Sequence, residues 1–239
     1  FYELPTDAVS SHDRANLINL ARDMIRKDSL RPFDLSCPPL LRAQLIRIGA
    51  DEYFLGLVFH HIIVDGWSFD IIERELKELY QASIENRPPR LAERIVDYGD
   101  VAVWQAHWLE SDSVKSQIDY WCSSLEGGKF DLKLPTDISS HSGLTGRVKV
   151  LTHVFDQRRR EQIALTAQSA GASVFMHMAA IAYGVVMHMT RQTDVCLGIP
   201  VANRNRHEFE HIVGLFANTL VLRVSVAPAS TFCDLVQTL

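Results

Sequence analysis

The most constraining feature of this sequence is a short apolar run that ends in two histidines and leads directly into a helix start. Residues 52–59 are strongly apolar, which predicts a central strand buried on both faces. His60 and His61 follow, and after a short loop come residues 65–68, in which Ser68 can cap a helix. The sequence therefore predicts a strand–turn–helix unit with polar side chains at the end of the strand.

The polar residues of this unit suggest separate roles. Adjacent strand residues point to opposite faces, so one of His60 and His61 should face the packed interior and the other a cavity at the strand end. Asp65, four positions after His61, can turn back across the loop and orient it through an ion pair with an arginine. Gly66 has no side chain, so a long, narrow substrate could pass close to the backbone there.

Other readings of the histidines are possible from the residues alone. A histidine on an apolar strand is commonly a core residue with a satisfied ring. Neighbours on opposite faces make poor metal ligands, and no HExxH or third histidine at helical spacing accompanies His60 and His61, so we expect no metal there. A serine hydrolase would need a nucleophile elbow, and the sequence contains no G-x-S-x-G.

The periodicity of apolar residues predicts alternating strands and helices, which indicates an α/β fold in two lobes. In residues 126–147 glycine, serine, proline, aspartate and threonine together predominate, and we place the lobe boundary there. The predicted division is an N-terminal lobe over 1–135, a linker over 136–147 and a C-terminal lobe over 148–239. The predicted helices cover residues 12–28, 98–110, 114–125, 157–170, 174–189 and 232–239, and one more helix follows the Ser68 cap and ends before Pro88. The predicted strands cover 41–48, 52–59, 148–155, 195–201 and 219–226.

The bulk properties exclude several classes of protein. A net charge of -5 over 239 residues gives no reason to expect nucleic acid or an anionic membrane as a partner. No apolar stretch approaches the roughly 20 residues that span a bilayer, and residues 1–5 have neither the basic n-region nor the apolar h-region expected of a signal peptide. The four cysteines share no metal-ligand spacing and are expected to be reduced and mostly buried. Both ends look cut, so we expect a fragment of a larger cytoplasmic protein.

The stretch His60 to Ser68 resembles the HHxxxDG signature of condensation domains of nonribosomal peptide synthetases, a family that shares the chloramphenicol acetyltransferase fold. Further segments resemble motifs of this family in the family's order. These segments are residues 31–35, 39–43, 97–105, 134–137, 198–204 and 213–223. Ala217 stands where valine is usual, and the family's early arginine motif and its late motifs are missing. The resemblance thus implies a two-lobed α/β fold, with mixed sheets and flanking helices, that is incomplete at both ends.

The resemblance also implies a reaction. The family joins a donor acyl or peptidyl thioester to the amine of an acceptor aminoacyl thioester, in a tunnel between the lobes. Each substrate arrives on the 4'-phosphopantetheine arm of a peptidyl carrier domain, one for the donor and one for the acceptor. An adenylation domain lies adjacent to the condensation domain in the parent synthetase. The chain itself needs no bound cofactor, since no carrier serine motif or adenylate-forming loop is present in the sequence.

The same resemblance suggests roles for individual residues. His61 takes the catalytic position, as a general base or a positioning group, and His60 is structural. Asp65 is a structural residue held by an arginine, for which Arg223 is our candidate, although an arginine upstream of this chain competes. Gly66 keeps the acceptor tunnel open. The candidates for lining the tunnel, beside roles in packing or capping, are Trp67, Ser68 and Asn218.

Three alternatives to peptide-bond formation remain open at this point. The same fold and the same HHxxxDG signature also serve epimerisation of a carrier-bound residue. A free-standing acyltransferase could use the fold for O- or N-acylation. A non-catalytic recruitment module is the third alternative, and the intact histidine motif counts against it.

Overall fold

A computed structural model describes most of the chain, and the described part forms two compact units. The described residues are 2–3, 11–93, 95–135 and 150–239. Unit 1 comprises Phe1–Trp108 and Val201–Asn218, and unit 2 comprises Leu109–Pro200 and Thr219–Leu239. Each unit is therefore built from two separate stretches of the chain.

The helices and strands follow one another in a mixed α/β order. The strands are β1 (Tyr2–Glu3), β2 (Leu41–Arg47), β3 (Tyr53–Phe59), β4 (Asp194–Val201) and β5 (Asn218–Ser225). The α-helices are α1 (Ser11–Ser29), α2 (Gly66–Ile84), α3 (Tyr98–Leu109), α4 (Asp112–Leu125), α5 (Gln157–Ser169), α6 (Val174–Thr190) and α7 (Phe232–Thr238). Short 3-10 helices cover His61–Ile63 and His207–Phe209. All described α-helices and strands except β1 were predicted. Helix α2 was predicted only to follow the Ser68 cap and to end before Pro88, and the ends of the other elements agree with the prediction to within about two residues.

The sheet of unit 1 has the order β1-β2-β3, with β1 parallel and β3 antiparallel to β2. Helix α1 packs against this sheet so closely that a Cβ on Gly56 would lie 1.9 Å from Ile25. Among the described residues β3 pairs with β2 alone, and Tyr53 and Leu55 are exposed while Val58 is buried. The prediction of a central strand buried on both faces is therefore wrong, because apolar composition does not reveal how many neighbours a strand has.

Unit 2 has its core between α6, α7 and the two-stranded sheet β4-β5. Tyr183 of α6 is fully buried, and its hydroxyl donates a hydrogen bond to the carbonyl of Leu222. Burial raises the pKa of Tyr183 to about 12. Val195 and Val224 contribute one buried side chain from each strand. This core fixes the paired strands β4 and β5, which precede and follow residues 202–217 in the chain.

Two predictions about the chain's organisation have different outcomes. The predicted strand over 148–155 is wrong for its described part, since residues 150–155 form no strand; an extended run becomes a strand only when a neighbour accepts its hydrogen bonds. Residues 148–149 and the predicted linker, 136–147, lie outside the described residues. The compact units do not follow the predicted lobe limits, since residues 201–218 belong to unit 1; the division into lobes stays a prediction.

The four cysteines are free thiols, but they are not mostly buried as predicted. Cys37, Cys122 and Cys233 are exposed, and Cys196 of β4 is half-buried. The spacing of cysteines in the sequence gives no information on which of them reach the core. Within the described ranges no single helix is long and apolar enough to cross a bilayer, although α5 and α6, bent by 94°, meet the length and composition requirement as a pair.

Candidate active site

The two histidines lie beyond the end of β3, in the turn that leads to α2. Strand β3 ends at Phe59, so strand alternation does not apply to them, and that part of the prediction is wrong. His60 caps the 3-10 helix, and its Nδ1 accepts a hydrogen bond from the Ile62 N–H at 3.1 Å. Its own N–H donates to the carbonyl of Leu40 at 3.0 Å. The structure thus places His60 half-buried and held, and His61 exposed.

Asp65 is the N-cap of α2, and it forms a capping box with Ser68. Its Oδ1 accepts hydrogen bonds from Ser68 N at 2.9 Å and Ser68 Oγ at 2.7 Å. The prediction that Ser68 itself caps the helix is wrong, because the helix begins two residues earlier and Ser68 is the third residue of its first turn. The Ser68 side chain is fully buried, so it does not line a substrate path.

The other carboxylate oxygen of Asp65 binds the segment that returns from β4. Its Oδ2 accepts hydrogen bonds from Phe216 N at 3.0 Å and Ala217 N at 3.3 Å. Burial opposes ionisation of Asp65, but the hydrogen bonds from Ser68, Phe216 and Arg204 outweigh it and hold the pKa of Asp65 below its ordinary value. Asp65 therefore joins the start of α2 to residues 216–217 as a buried anion.

The cation that balances Asp65 is Arg204, which sequence reasoning did not assign. Its Nη2 lies 3.1 Å from Asp65 Oδ1, and the two side chains are 1% and 2% exposed. Its Nη1 donates to the carbonyls of Phe209 and, at 2.8 Å, Ile212. The guanidinium also lies 4.1 Å from the centre of the Phe216 ring. Buried charges persist when they are paired in this way, so Arg204 fixes the 204–217 segment around Asp65.

Arg223, the predicted partner of Asp65, instead binds Asp194 in unit 2. Its Nε and Nη2 each lie 2.9 Å from a carboxylate oxygen of Asp194, and its Nη1 donates to the carbonyl of Glu126 at 2.7 Å. The assignment of Arg223 to Asp65 is therefore wrong. The physical reason is that β4 and β5 are neighbours, so the guanidinium forms a two-pronged pair with its own sheet.

The segment after Arg204 is also held by Tyr98 of α3. The Tyr98 hydroxyl donates to the carbonyl of Leu215 at 2.7 Å, and its ring meets Phe216 edge-on at 5.3 Å. A Cβ added to Gly214 would lie 2.2 Å from the Tyr98 ring, so only glycine permits this approach. The 97–105 and 213–223 motifs, separate in sequence, are thus joined by direct contact around Asp65.

The remaining predicted residues lie at the surface of this turn. The indole of Trp67 donates to the carbonyl of Glu210 at 3.0 Å, and 44% of the residue stays exposed. A Cβ on Gly66 would meet no atom within 4 Å. Asn218 is exposed at the start of β5. The tunnel roles of these residues stay predictions. In the part of the chain that the structure describes, no three His, Cys, Asp or Glu side chains are grouped as metal ligands would be.

Comparisons with known proteins identify the family of this chain. The Condensation domain family matches residues 3–239. A linear gramicidin synthase polypeptide of Brevibacillus parabrevis is 38% identical over 213 residues, which is 87% of this chain and 4% of that protein. The first condensation domain of the CDA synthetase superposes with a TM-score of 0.73 and 23% identity, over 92% of this chain and 48% of that one.

The X-domain from teicoplanin biosynthesis gives a TM-score of 0.82 at 23% identity, over 99% of this chain and 52% of the other. These likenesses confirm the predicted α/β fold of condensation domains, of which the chain spans about half the length. The chain spans only a few per cent of the curated relatives that it matches. The family match covers nearly all of the sequence, and so this chain belongs to the condensation-domain family.

Proposed function

We propose that this chain carries the reaction centre of a condensation domain that forms an amide bond between two carrier-bound substrates. The observation that carries the proposal is the placement of His61. It is an exposed imidazole on a short turn. Both flanks of the turn are tied to the rest of unit 1, His60 through Leu40 and Asp65 through Phe216. A side chain that is accessible while its backbone is held is what a base acting on a bound amine requires.

The proposed chemistry needs a proton acceptor and two substrates in correct positions. The acceptor amine attacks the donor thioester carbon, a C–N bond forms and the C–S bond breaks. In its neutral form the His61 imidazole takes the amine proton and returns it to the departing thiolate. General-base assistance contributes roughly 10²–10⁴-fold, and holding two tethered reactants together can contribute more.

The neighbouring residues have supporting roles in this proposal. Asp65 and Arg204 hold the turn and the 204–217 segment, and neither is exposed enough to meet a substrate. Gly66 is the first residue of α2, has open space where a side chain would lie and has no left-handed backbone that would demand glycine. We therefore assign its missing side chain to the passage of the acceptor substrate rather than to packing.

The partners follow from the same proposal. The substrates would arrive on 4'-phosphopantetheine arms of donor and acceptor peptidyl carrier domains, and an adenylation domain of a cytoplasmic parent synthetase would supply the amino acids. The relatives are large synthetases, of which this chain matches a few per cent. The negative net charge gives no reason to include nucleic acid or membrane among the partners.

Product identity tests the proposal directly. The complete condensation domain of the parent polypeptide is mixed with a donor carrier bearing an acyl thioester and an acceptor carrier bearing an aminoacyl thioester. We expect a donor–acceptor amide on the acceptor carrier. An inverted stereocentre on one carrier would instead indicate epimerisation, an acylated soluble amine or alcohol would indicate a free-standing acyltransferase, and no product would indicate a recruitment module; each of these three results overturns the proposal.

A further inference from the structure

Residues 60–65, the histidine turn, are held at both ends. Asp65 holds the C-terminal end, and a second group of contacts holds His60 at the N-terminal end. His60 is held by three hydrogen bonds: its N–H to Leu40 O at 3.0 Å, its carbonyl from Ile63 N at 3.1 Å and its Nδ1 from Ile62 N at 3.1 Å. Because Nδ1 accepts, the neutral ring carries its proton on Nε2. Rotation of this ring would release the Ile62 N–H, and with it the 3-10 turn that begins at His61.

The ring of His60 is in turn packed against Phe33, from the loop between α1 and β2. The two rings meet nearly at right angles, with their centres 5.9 Å apart at 84°. This is a favoured edge-to-face arrangement of aromatic rings. Both side chains are half-buried, so the orientation of Phe33 limits the rotations that are open to His60.

Phe33 is itself oriented by Arg42 of β2, whose guanidinium carbon lies 3.8 Å from the centre of the Phe33 ring. Arg42 cannot turn easily, because its Nε donates to Asp28 Oδ2 at 2.9 Å and its Nη2 donates to the carbonyls of Asp28 and Arg31 at 2.7 and 3.0 Å. Asp28 is 5% exposed, and the hydrogen bond from Arg42 outweighs burial to keep its pKa below the ordinary value. The plane of the guanidinium is thus fixed by a buried anion and two carbonyls.

We infer that Asp28, Arg42 and Phe33 form a positioning relay that fixes His60, and through it the backbone of the proposed catalytic residue His61. The relay touches no reacting group in this inference, so its members are positioning residues. The inference rests on the proposed function for its effect on rate, but its effect on the His60 ring can be measured without any reaction. A displacement of about 1 Å in a catalytic group can cost on the order of 100-fold in rate.

The test compares two Phe→Leu variants of the complete condensation domain. Phe33→Leu removes the ring that contacts His60, while Phe54→Leu removes a half-buried ring from the α1–β3 core, beside Ala21 and Ile46. Single-turnover amide formation at saturating carriers is measured, together with the KM for the acceptor carrier and the melting temperature. Arg31→Ala is a second control, because Arg31 contacts Asp28 through its exposed side chain.

We expect Phe33→Leu to lower the single-turnover rate by roughly 10- to 100-fold, with an unchanged KM. Phe54→Leu and Arg31→Ala should retain the wild-type single-turnover rate. Phe33→Tyr should retain it as well, because tyrosine keeps the aromatic ring that contacts His60. In histidine-labelled protein the ¹⁵N signals of His60 should show one Nε2–H tautomer in the wild type and a mixture in Phe33→Leu. If Phe33→Leu does not fold, Arg42→Lys, which keeps the charge and loses the fork, replaces it in the same assays.

A wild-type rate and a wild-type His60 spectrum in the Phe33→Leu variant would overturn the inference. An inactive wild type with the expected change in the His60 spectrum would instead overturn the proposed function and leave the relay standing. A rate loss in Phe33→Leu that is accompanied by an equal loss in Phe54→Leu would reduce Phe33 to a packing residue. The three results are distinct because the tautomer is read independently of amide formation.

Discussion

The Asp65→Asn substitution removes the negative charge of Asp65 and keeps nearly the same side-chain shape, so it tests the buried ion pair with Arg204. An asparagine can keep the Oδ1 contacts with Ser68, but its NH₂ group would face donors at the Oδ2 position. Those donors are the N–H groups of Phe216 and Ala217, at 3.0 and 3.3 Å. Arg204, 1% exposed, would lose its counter-charge. The Asp65→Asn variant therefore leaves a buried cation unpaired and two backbone donors unsatisfied.

Two contributions make up the cost. Removing one partner of a buried ion pair costs about 3–5 kcal/mol, and leaving the buried Phe216 N–H without its acceptor costs about 1–3 kcal/mol when that loss is counted alone. We therefore expect the Asp65→Asn variant of the complete domain to lose about 3–5 kcal/mol of unfolding free energy in urea. That is a large part of the roughly 5–15 kcal/mol of a typical domain. Glu73→Gln, at an exposed i,i+4 pair with Lys77, is the control and should leave stability unchanged.

A double-mutant cycle with Arg204→Met isolates the ion pair. Each single variant leaves one buried charge, whereas the double variant leaves none, so its loss should be smaller than the sum by about 1–3 kcal/mol. Urea melts of the four proteins provide the measurement. A coupling below about 0.5 kcal/mol, or an Asp65→Asn variant as stable as Glu73→Gln, would refute the buried pairing of Asp65 with Arg204.

Three further predictions concern Gly214, Gly66 and the titration of Asp65. Gly214→Ala should destabilise the domain by about 1–3 kcal/mol, since the new Cβ would lie 2.2 Å from the Tyr98 ring, and a thermal melt in a Tyr98→Leu background should show a smaller penalty. Gly66→Ala should change the unfolding free energy by less than about 1 kcal/mol but lower amide formation roughly tenfold; wild-type turnover would remove Gly66 from the acceptor path. Because the pKa of Asp65 is lowered on folding, its contribution is complete above its unfolded value, about 3.9, and is lost as pH falls through the folded value. The stability gap between wild type and Asp65→Asn should therefore narrow in urea melts from pH 6 to pH 3, and a constant gap would contradict the shift.

Local patterns were sufficient to predict most of the secondary structure of this chain. Helices α1 to α7 have apolar periodicity together with caps or breakers, so their positions depend mainly on nearby residues. The run over 150–155 shows where this reasoning stops, because a strand requires a neighbour and the sequence does not name one. The prediction that β3 is buried on both faces failed for the same reason, because the sequence does not show how many strands pair with it.

The residues of the histidine turn were also predicted from the sequence, but their partners were not. Asp65 precedes Ser68 by three positions, which is a capping-box spacing that could have identified Asp65 as the N-cap. The choice between Arg204 and Arg223 had no local signal. It depends on residues 204–217 folding back around Asp65, and on Asp194 pairing with Arg223.

The role of His61 is the central claim, and single-turnover kinetics test it most directly. Donor and acceptor carriers, both loaded, are mixed with the complete domain bearing His61→Ala or, as the control for the turn itself, His60→Ala. We expect His61→Ala to lose amide formation by roughly 10²–10⁴-fold with an unchanged melting temperature, because the exposed ring contributes little to packing. His60→Ala should lower the melting temperature as well as the rate. Wild-type rates in a folded His61→Ala variant would contradict the catalytic role of His61.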